Sequence, residues 1–144
     1  MSGQKGSTML EMVAVLAVVA ILAAIAVPSA ARVGAGVSAA EAARRLALVL
    51  RVAQAEAQSR DTAVLVEVSG DGDYLVTLAG EHLMSGRLRA AVSSTYPGGA
   101  VQFSERGWAG LPGSASPRAG HYSLAGATAS RTVVIQLSGC VRCS

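Results

Sequence analysis

The sequence predicts an α+β protein in which one long amino-terminal helix packs on a small, mostly antiparallel β-sheet domain. Two observations support the helix: residues 12–31 carry no charge, and apolar residues then recur at three- and four-residue steps as far as Ala57. From Thr62 onward, short apolar runs alternate with turns rich in Gly, Asp and Ser, which is typical of strands. We therefore place the helix at 7–61 and the β domain at 62–144.

The uncharged segment is long enough to cross a membrane. Twenty helical residues rise about 30 Å, which is the thickness of a hydrocarbon core. The segment is apolar on all sides, as a helix embedded in lipid requires. Lys5 precedes it and favours a cytoplasmic amino terminus, while Arg32 follows it. The sequence thus predicts a single membrane anchor at 7–31, an amphipathic continuation at 32–61, and a globular domain outside the cytoplasm.

Glu11 interrupts the apolar stretch near its start. A carboxylate in an apolar span is costly unless it is paired, so it usually has a function. If the chain were cut after Gly6, the new α-amino group of Ser7 would lie four residues from Glu11. The carboxylate of one subunit could then pair with the amine of its neighbour. The alternative is a glutamate that lies at the headgroup level near the helix start.

The stretch from Lys5 to Ser29 resembles the prepilin signature of type IV pilins and type II secretion pseudopilins. Gly6 matches the last residue of the leader, and Glu11 matches the glutamate at the fifth position of the mature chain. Pro28 matches the proline of the family's helix, whereas Ser7 stands where the family usually has Phe.

This resemblance implies the type IV pilin fold and a set of processing and assembly steps. Prepilin peptidase would remove residues 1–6 as a leader and methylate the amino group of Ser7. Glu11 would act in assembly, and Pro28 would kink the helix. The implied partners are other pilin or pseudopilin subunits, prepilin peptidase, the assembly platform of the inner membrane, and membrane lipid.

Three later segments resemble the GspH/FimT-type minor pilins and pseudopilins, namely 50–64, 101–107 and 131–142. This implies a structural subunit of a type IV pilus or of a type II secretion pseudopilus. The alternative is a DNA-binding minor pilin that acts in DNA uptake, with Arg131 and Arg142 as the candidate contacts. Cys140 stands where the DNA-binding pattern has its first Arg, so that only Gly139 and Arg142 correspond.

The remaining patterns predict the β domain in outline. The Gly70–Asp73 turn joins the first hairpin, and Gly107–Gly120 is predicted as a loop. Trp108 is expected to fill the core, because the domain has few other aromatic residues. Strands are predicted at 63–68, 74–78, 88–92, 100–104, 121–124, 132–137 and 141–143.

Charge alternates along the chain. Residues 61–81 hold five acids and no base, whereas residues 87–144 hold six Arg and only Glu105. Arg binds phosphate through a planar pair of donors, so this composition is compatible with nucleic acid. The alternative is a solvated surface on which the two signs alternate.

Cys140 and Cys143 form the C-x-x-C pattern. Outside the cytoplasm a disulfide is expected, and it needs a turn between the two, because side chains three apart in a strand point to opposite faces. An anchored thiol-redox protein is a further hypothesis, although the sequence lacks the βαβ pattern of such folds. A zinc site would need His82 and His121 together with the two cysteines, and nothing in the spacing of these residues predicts it. We predict no enzyme, no catalytic residue, no metal and no cofactor.

Overall fold

The computed structural model describes the backbone of residues 5–126 and 129–144, with the side chains of these residues except 5–8, 10 and 23–38. The chain divides into two compact units, residues 1–34 and residues 35–144. The second, which we call the carboxy-terminal unit, contains every strand of the described residues.

Helix α1 spans Lys5–Ser59, which confirms the predicted end of the helix. Just beyond it, the backbone N–H of Thr62 donates to the carbonyl of Ala57 at 3.1 Å. Between them Asp61 adopts a positive φ of 49°. This bond satisfies one of the last helical carbonyls and turns the chain towards the first strand.

Gly34 and Gly36 lie within α1, although glycine is a poor helix former. Glycine in a helix costs about 1 kcal/mol relative to Ala. The flanking segments are rich in Ala, the strongest helix former, which offsets this cost. Pro28 also lies within α1, but its side chain is outside the described set, and the kink there stays a prediction.

Nine strands of the described residues form two antiparallel sheets. Sheet A has the order β3-β2-β1-β5-β6, and sheet B has the order β4-β7-β8-β9. The strands are β1 (Val64–Val68), β2 (Asp73–Leu78), β3 (Glu81–Arg87), β4 (Ala91–Ser94), β5 (Ala100–Phe103), β6 (Ala109–Gly110), β7 (Gly120–Ala125), β8 (Ser130–Ile135) and β9 (Val141–Cys143).

Most strands lie close to their predicted bounds, but the strand predicted at 88–92 is wrong. In its place β3 ends at Arg87 and β4 begins at Ala91, with the buried Leu88 between them. β3 is an edge strand whose side chains are largely exposed, so it lacks the apolar alternation that would have predicted it. The short strand β6 lies inside the predicted loop 107–120.

The core of the carboxy-terminal unit contains residues of α1 and of both sheets. Burial of each Leu or Val side chain contributes about 1.5–3 kcal/mol. The predicted apolar face of the helix is confirmed from Leu46 to Ala57. The core includes Leu46, Val49, Leu50, Ala53 and Ala57 of α1, Val64, Val66, Val76 and Phe103 of sheet A, and Tyr122, Leu124, Val133 and Ile135 of sheet B.

Two buried tyrosines form hydrogen bonds between the core and neighbouring loops. The rings of Tyr96 and Tyr122 lie 5.7 Å apart at an angle of 36°. The hydroxyl of Tyr122 donates to the carbonyl of Gly99 at 2.8 Å, and that of Tyr96 donates to the carbonyl of Arg118 at 3.1 Å. Burial raises the pKa of Tyr96 to about 12 against the opposing charge of Arg118, and burial also raises the pKa of Tyr122. Both hydroxyls therefore remain donors at physiological pH.

Candidate functional site

The amino-terminal part of α1 presents apolar side chains on every side. Consecutive residues of a helix point in all directions around its axis, so this surface has no polar face. Soluble monomers rarely leave such a continuous apolar surface uncovered. The surface therefore needs lipid or other apolar helices as cover. Its exposed residues are Met9, Met12, Val13, Val15, Leu16, Val18, Val19, Ile21 and Leu22, which are 55–75% accessible.

Glu11 lies among these apolar residues and is exposed. It forms no ion pair with any described residue. Gly6 and Ser7 lie in the first turns of α1, but their side chains are outside the described set.

Among the described residues, no helix combines the length and the hydropathy that crossing a membrane requires. The uncharged segment 12–31 extends past Leu22 into side chains that the structure does not describe. The membrane anchor at 7–31 therefore remains a prediction.

Gln54 on α1 forms hydrogen bonds with one turn of each sheet. Its Nε2 donates to the carbonyl oxygen of Gly107 at 2.9 Å, after β5, and to that of Ser138 at 3.3 Å, between β8 and β9. One turn later, Gln58 Nε2 donates to the carbonyl of Arg106 at 3.3 Å. We call these five residues the Gln54 junction.

Two glycines allow the turns to approach the helix so closely. Gly107 and Gly139 are buried and have positive φ angles of 78° and 79°. A Cβ on Gly139 would overlap the carbonyl oxygen of Gly107 and the amide of Gln54. A Cβ on Gly107 would overlap the amide of Gln58. Only glycine combines this backbone conformation with the absence of a side chain.

Three arginines from distant parts of the sequence line one cleft. Arg45 lies on α1, and Arg87 and Arg89 lie at the end of β3 and in the following loop. These three residues border a cavity of about 210 Å³ that Glu41 also lines. Arg87 Nε lies 3.5 Å from the carboxylate of Asp73 in an exposed ion pair. Arg45 and Arg89 form no ion pair with the part of the chain that is described. We call this the arginine cleft; its three guanidinium groups suit an anionic ligand.

The amino-terminal motif and the fold both match those of known proteins. Residues 1–27 match the family model described as the prokaryotic N-terminal methylation motif. The fold is similar to that of the type IV minor pilin FimU of Pseudomonas aeruginosa (strain PAO1), in two crystal forms. The TM-scores are 0.60 and 0.59 at 17% sequence identity, over 74% and 72% of this chain and 87% and 90% of FimU. The chain has a type IV pilin-like fold.

No curated protein sequence matches this chain with significance. The methylation motif covers the amino-terminal segment only, and the structural match at low identity shows the fold. Together they confirm the predicted fold class, a long amino-terminal helix with an antiparallel β domain.

The three segments that resemble the GspH/FimT-type proteins meet at the Gln54 junction. The first segment supplies Gln54, the second supplies Gly107, and the third supplies Ser138 and Gly139. The role of Gln54 was not predicted from the sequence. The feature that could have indicated it is a polar residue beside the buried Ala53, next to the apolar face of the helix.

Arg131 and Arg142, the DNA contacts considered from the sequence, lie on opposite faces of sheet B. Arg131 lies two residues before the buried Val133 in β8, so the two residues lie on the same face of the sheet. Arg142 in β9 pairs with the exposed Val134, and residues paired in this way point to the same face. The structure therefore does not bring the two arginines together, although both are exposed.

Cys140 and Cys143 are free thiols, so the disulfide expected from their spacing is not formed. Residues Val141–Cys143 form strand β9 instead of the turn that a bridge needs. The thiol of Cys143 lies 3.7 Å from the carbonyl of Ala43 on α1, whereas Cys140 precedes the strand. A bridge would therefore require residues 141–143 to leave the strand conformation.

The histidines lie in different sheets, His82 in β3 and His121 in β7. Across the described ranges, no group of three or more His, Cys, Asp and Glu side chains is placed to hold a metal. The zinc set that would join the histidines to Cys140 and Cys143 is not assembled.

Trp108 does not fill the core as the sequence analysis expected, since its side chain is 45% exposed. The guanidinium carbon of Arg106 lies 5.7 Å from the centre of its ring. The buried aromatic residues of the core are instead Tyr74, Tyr96, Phe103 and Tyr122.

Proposed function

We propose that this chain is a minor pilin, a structural subunit of a type IV pilus, and not an enzyme. The observation that carries the proposal is the apolar amino-terminal surface, which is exposed on every side and contains Glu11. Lipid would cover this surface before assembly, and the helices of neighbouring subunits would cover it in the filament. The likeness in fold to FimU, a minor pilin, supports a role as a pilin subunit.

In this proposal the amino terminus is remade before assembly. The helix lies in the inner membrane with its amino terminus in the cytoplasm, where prepilin peptidase removes residues 1–6 and methylates Ser7. The assembly platform then moves the subunit into the filament. There the carboxylate of Glu11 pairs with the α-amine of a neighbouring subunit, and the low dielectric of the apolar surroundings strengthens the attraction.

Processing after Gly6 is the first prediction. In cells that contain prepilin peptidase, intact-mass measurement should find a chain that begins at Ser7 and carries one additional methyl group. Gly6→Val should leave the chain at full length, because the family's cleavage site depends on glycine at this position. Gly3→Val, a matched change within the leader, should be processed normally. An unshortened native chain in these cells would rule out the proposal.

The arginine cleft favours DNA binding as a second candidate function. Arg45, Arg87 and Arg89 converge on one cavity, and two of them have no carboxylate partner in the described residues. A phosphodiester backbone would supply anions to these guanidinium groups and release bound counterions. The candidate site thus lies at the cleft and not at the Arg131 and Arg142 pair.

We expect full-length protein in detergent micelles to bind labelled duplex DNA at low salt without sequence preference. The Arg45→Ala, Arg89→Ala double variant should weaken binding at least tenfold and reduce the log–log salt slope by about 0.9 for each phosphate that is no longer neutralised. The control is the Arg131→Ala, Arg142→Ala double variant, which removes the same charge elsewhere and should bind like the native protein. Fluorescence anisotropy measures both. Absence of binding at low salt would leave a purely structural subunit, and equal losses in both variants would show that the cleft is not the DNA site.

A further inference from the structure

The single tryptophan of the chain lies at the edge of a polar cleft. Trp108 follows the turn after β5 and leaves nearly half of its side chain in contact with solvent. Exposure of so large an apolar side chain forgoes burial energy that the fold could have used. Exposed aromatic residues beside cavities are typical of ligand sites.

The cleft has a volume of about 270 Å³. This is slightly below the range of about 300–1,000 Å³ found for pockets that take drug-sized molecules, so it suits one small ring. Its lining includes Trp108 and the polar residues Gln102, Ser104, Glu105, Arg106 and Ser114.

Hydrogen bonds hold both walls of the cleft in place. On one wall, the N–H of Ser104 donates to the carbonyl of Trp108 at 3.0 Å, and the N–H of Trp108 donates to Ser104 Oγ at 3.2 Å. On the other, the N–H of Gly113 donates to Gln102 Oε1 at 2.7 Å, and the N–H of Arg118 donates to the carbonyl of Ala109 at 2.7 Å. The cleft is therefore formed before any ligand enters, which lowers the entropy cost of binding.

The charge of the lining restricts the class of ligand. Glu105 and Arg106 are its charged residues, and their formal charges cancel. A phosphate would meet a carboxylate without any excess of positive charge. An apolar ligand would bury the charged groups and the amide N–H groups of Gln102 without supplying hydrogen-bond partners, which is costly.

A sugar ring satisfies the aromatic and the polar parts of the cleft together. One face of a pyranose consists of C–H bonds, whose slight positive charge is attracted to the electron-rich face of an indole. Its hydroxyl groups both donate and accept hydrogen bonds. The carboxylate of Glu105 accepts, the guanidinium of Arg106 donates, and the amide of Gln102 does both. We propose that this cleft binds a neutral pyranose unit of a glycan, an activity separate from processing and assembly.

Trp108 itself reports on the test, because it is the only tryptophan in the chain. Full-length protein is held in a detergent without a sugar headgroup and titrated with maltotetraose and with the tetramer of N-acetylglucosamine. At least one of them should change the tryptophan fluorescence in a saturable way, with a midpoint in the millimolar range. That range is usual for a ligand that makes few contacts.

Two matched variants separate the cleft from general effects. Glu105→Gln should weaken binding at least fivefold, because it replaces a charged acceptor in the lining. Glu81→Gln removes an exposed carboxylate of β3, outside this lining, and should bind like the native protein. Both positions are exposed, so neither change should unfold the protein. The proposal is overturned if neither sugar gives a saturable change, if both variants weaken binding equally, or if Trp108 responds only to another pilin subunit.

Discussion

Glu11→Ala should leave the protein in the membrane but remove it from filaments. The change makes the apolar surface of α1 more uniform, so insertion should not suffer. In the filament it would leave the α-amine of a neighbour without its partner. Breaking a buried ion pair by removing one member costs roughly 3–5 kcal/mol, which corresponds to more than a hundredfold loss in equilibrium incorporation. Immunoblots of sheared filaments and of membrane fractions measure the two pools.

Two further variants test whether the charge of Glu11 is what matters. Glu11→Gln keeps the size and hydrogen-bonding capacity of the side chain, and it should be excluded from filaments much as Glu11→Ala is. Glu41→Ala removes an exposed carboxylate from the carboxy-terminal part of the same helix and should assemble normally. Normal incorporation of Glu11→Ala would show that the carboxylate has no role in assembly.

Gly139→Ala should destabilise the carboxy-terminal unit by about 3 kcal/mol or more. A residue with a Cβ in the left-handed conformation costs roughly 1–2 kcal/mol, and forcing extra volume into a packed site costs about 1–3 kcal/mol more. The midpoint of thermal unfolding should fall on the order of 10 °C for a unit of this size. Circular dichroism and Trp108 fluorescence of the full-length protein in micelles both follow the transition.

Gly80→Ala is the matched control for this loss. Gly80 has a similar positive φ of 85°, but a Cβ there would meet no atom within 4 Å. The control therefore carries the conformational cost alone, about 1–2 kcal/mol. The difference between the two variants measures the contact of Gly139 with the Gln54 junction. Equal losses would show that this close contact does not contribute to stability.

The elements that could be predicted from the sequence are those defined by neighbouring residues. The end of α1 and the first hairpin follow from apolar periodicity and from the Gly70–Asp73 turn, and both are confirmed. The edge strand β3 could not be predicted, because its exposed side chains carry no apolar alternation. The division into two sheets also depends on pairings between strands that are far apart in sequence.

The candidate sites show the same division between local and distant information. Gly6 and Glu11 could be identified because the signature that contains them is continuous in sequence. The partners of Gln54, by contrast, lie 53 and 84 residues away, and no local pattern indicates them. The faces of sheet B on which Arg131 and Arg142 lie depend on the register between β8 and β9. The turn between these strands sets that register, and the sequence alone does not predict the geometry of the turn.

The Gln54 junction also affects how the carboxy-terminal unit resists proteases. The turns at residues 104–108 and 136–140 are mostly polar surface segments, the kind that proteases usually cut. Because both turns are bonded to one glutamine of the helix, a local opening of either turn must break its bond to the core. Each bond adds about 1 kcal/mol to the free energy of opening its turn. Cleavage at either turn should therefore be slower than at a loop of the same composition that is not bonded to the helix.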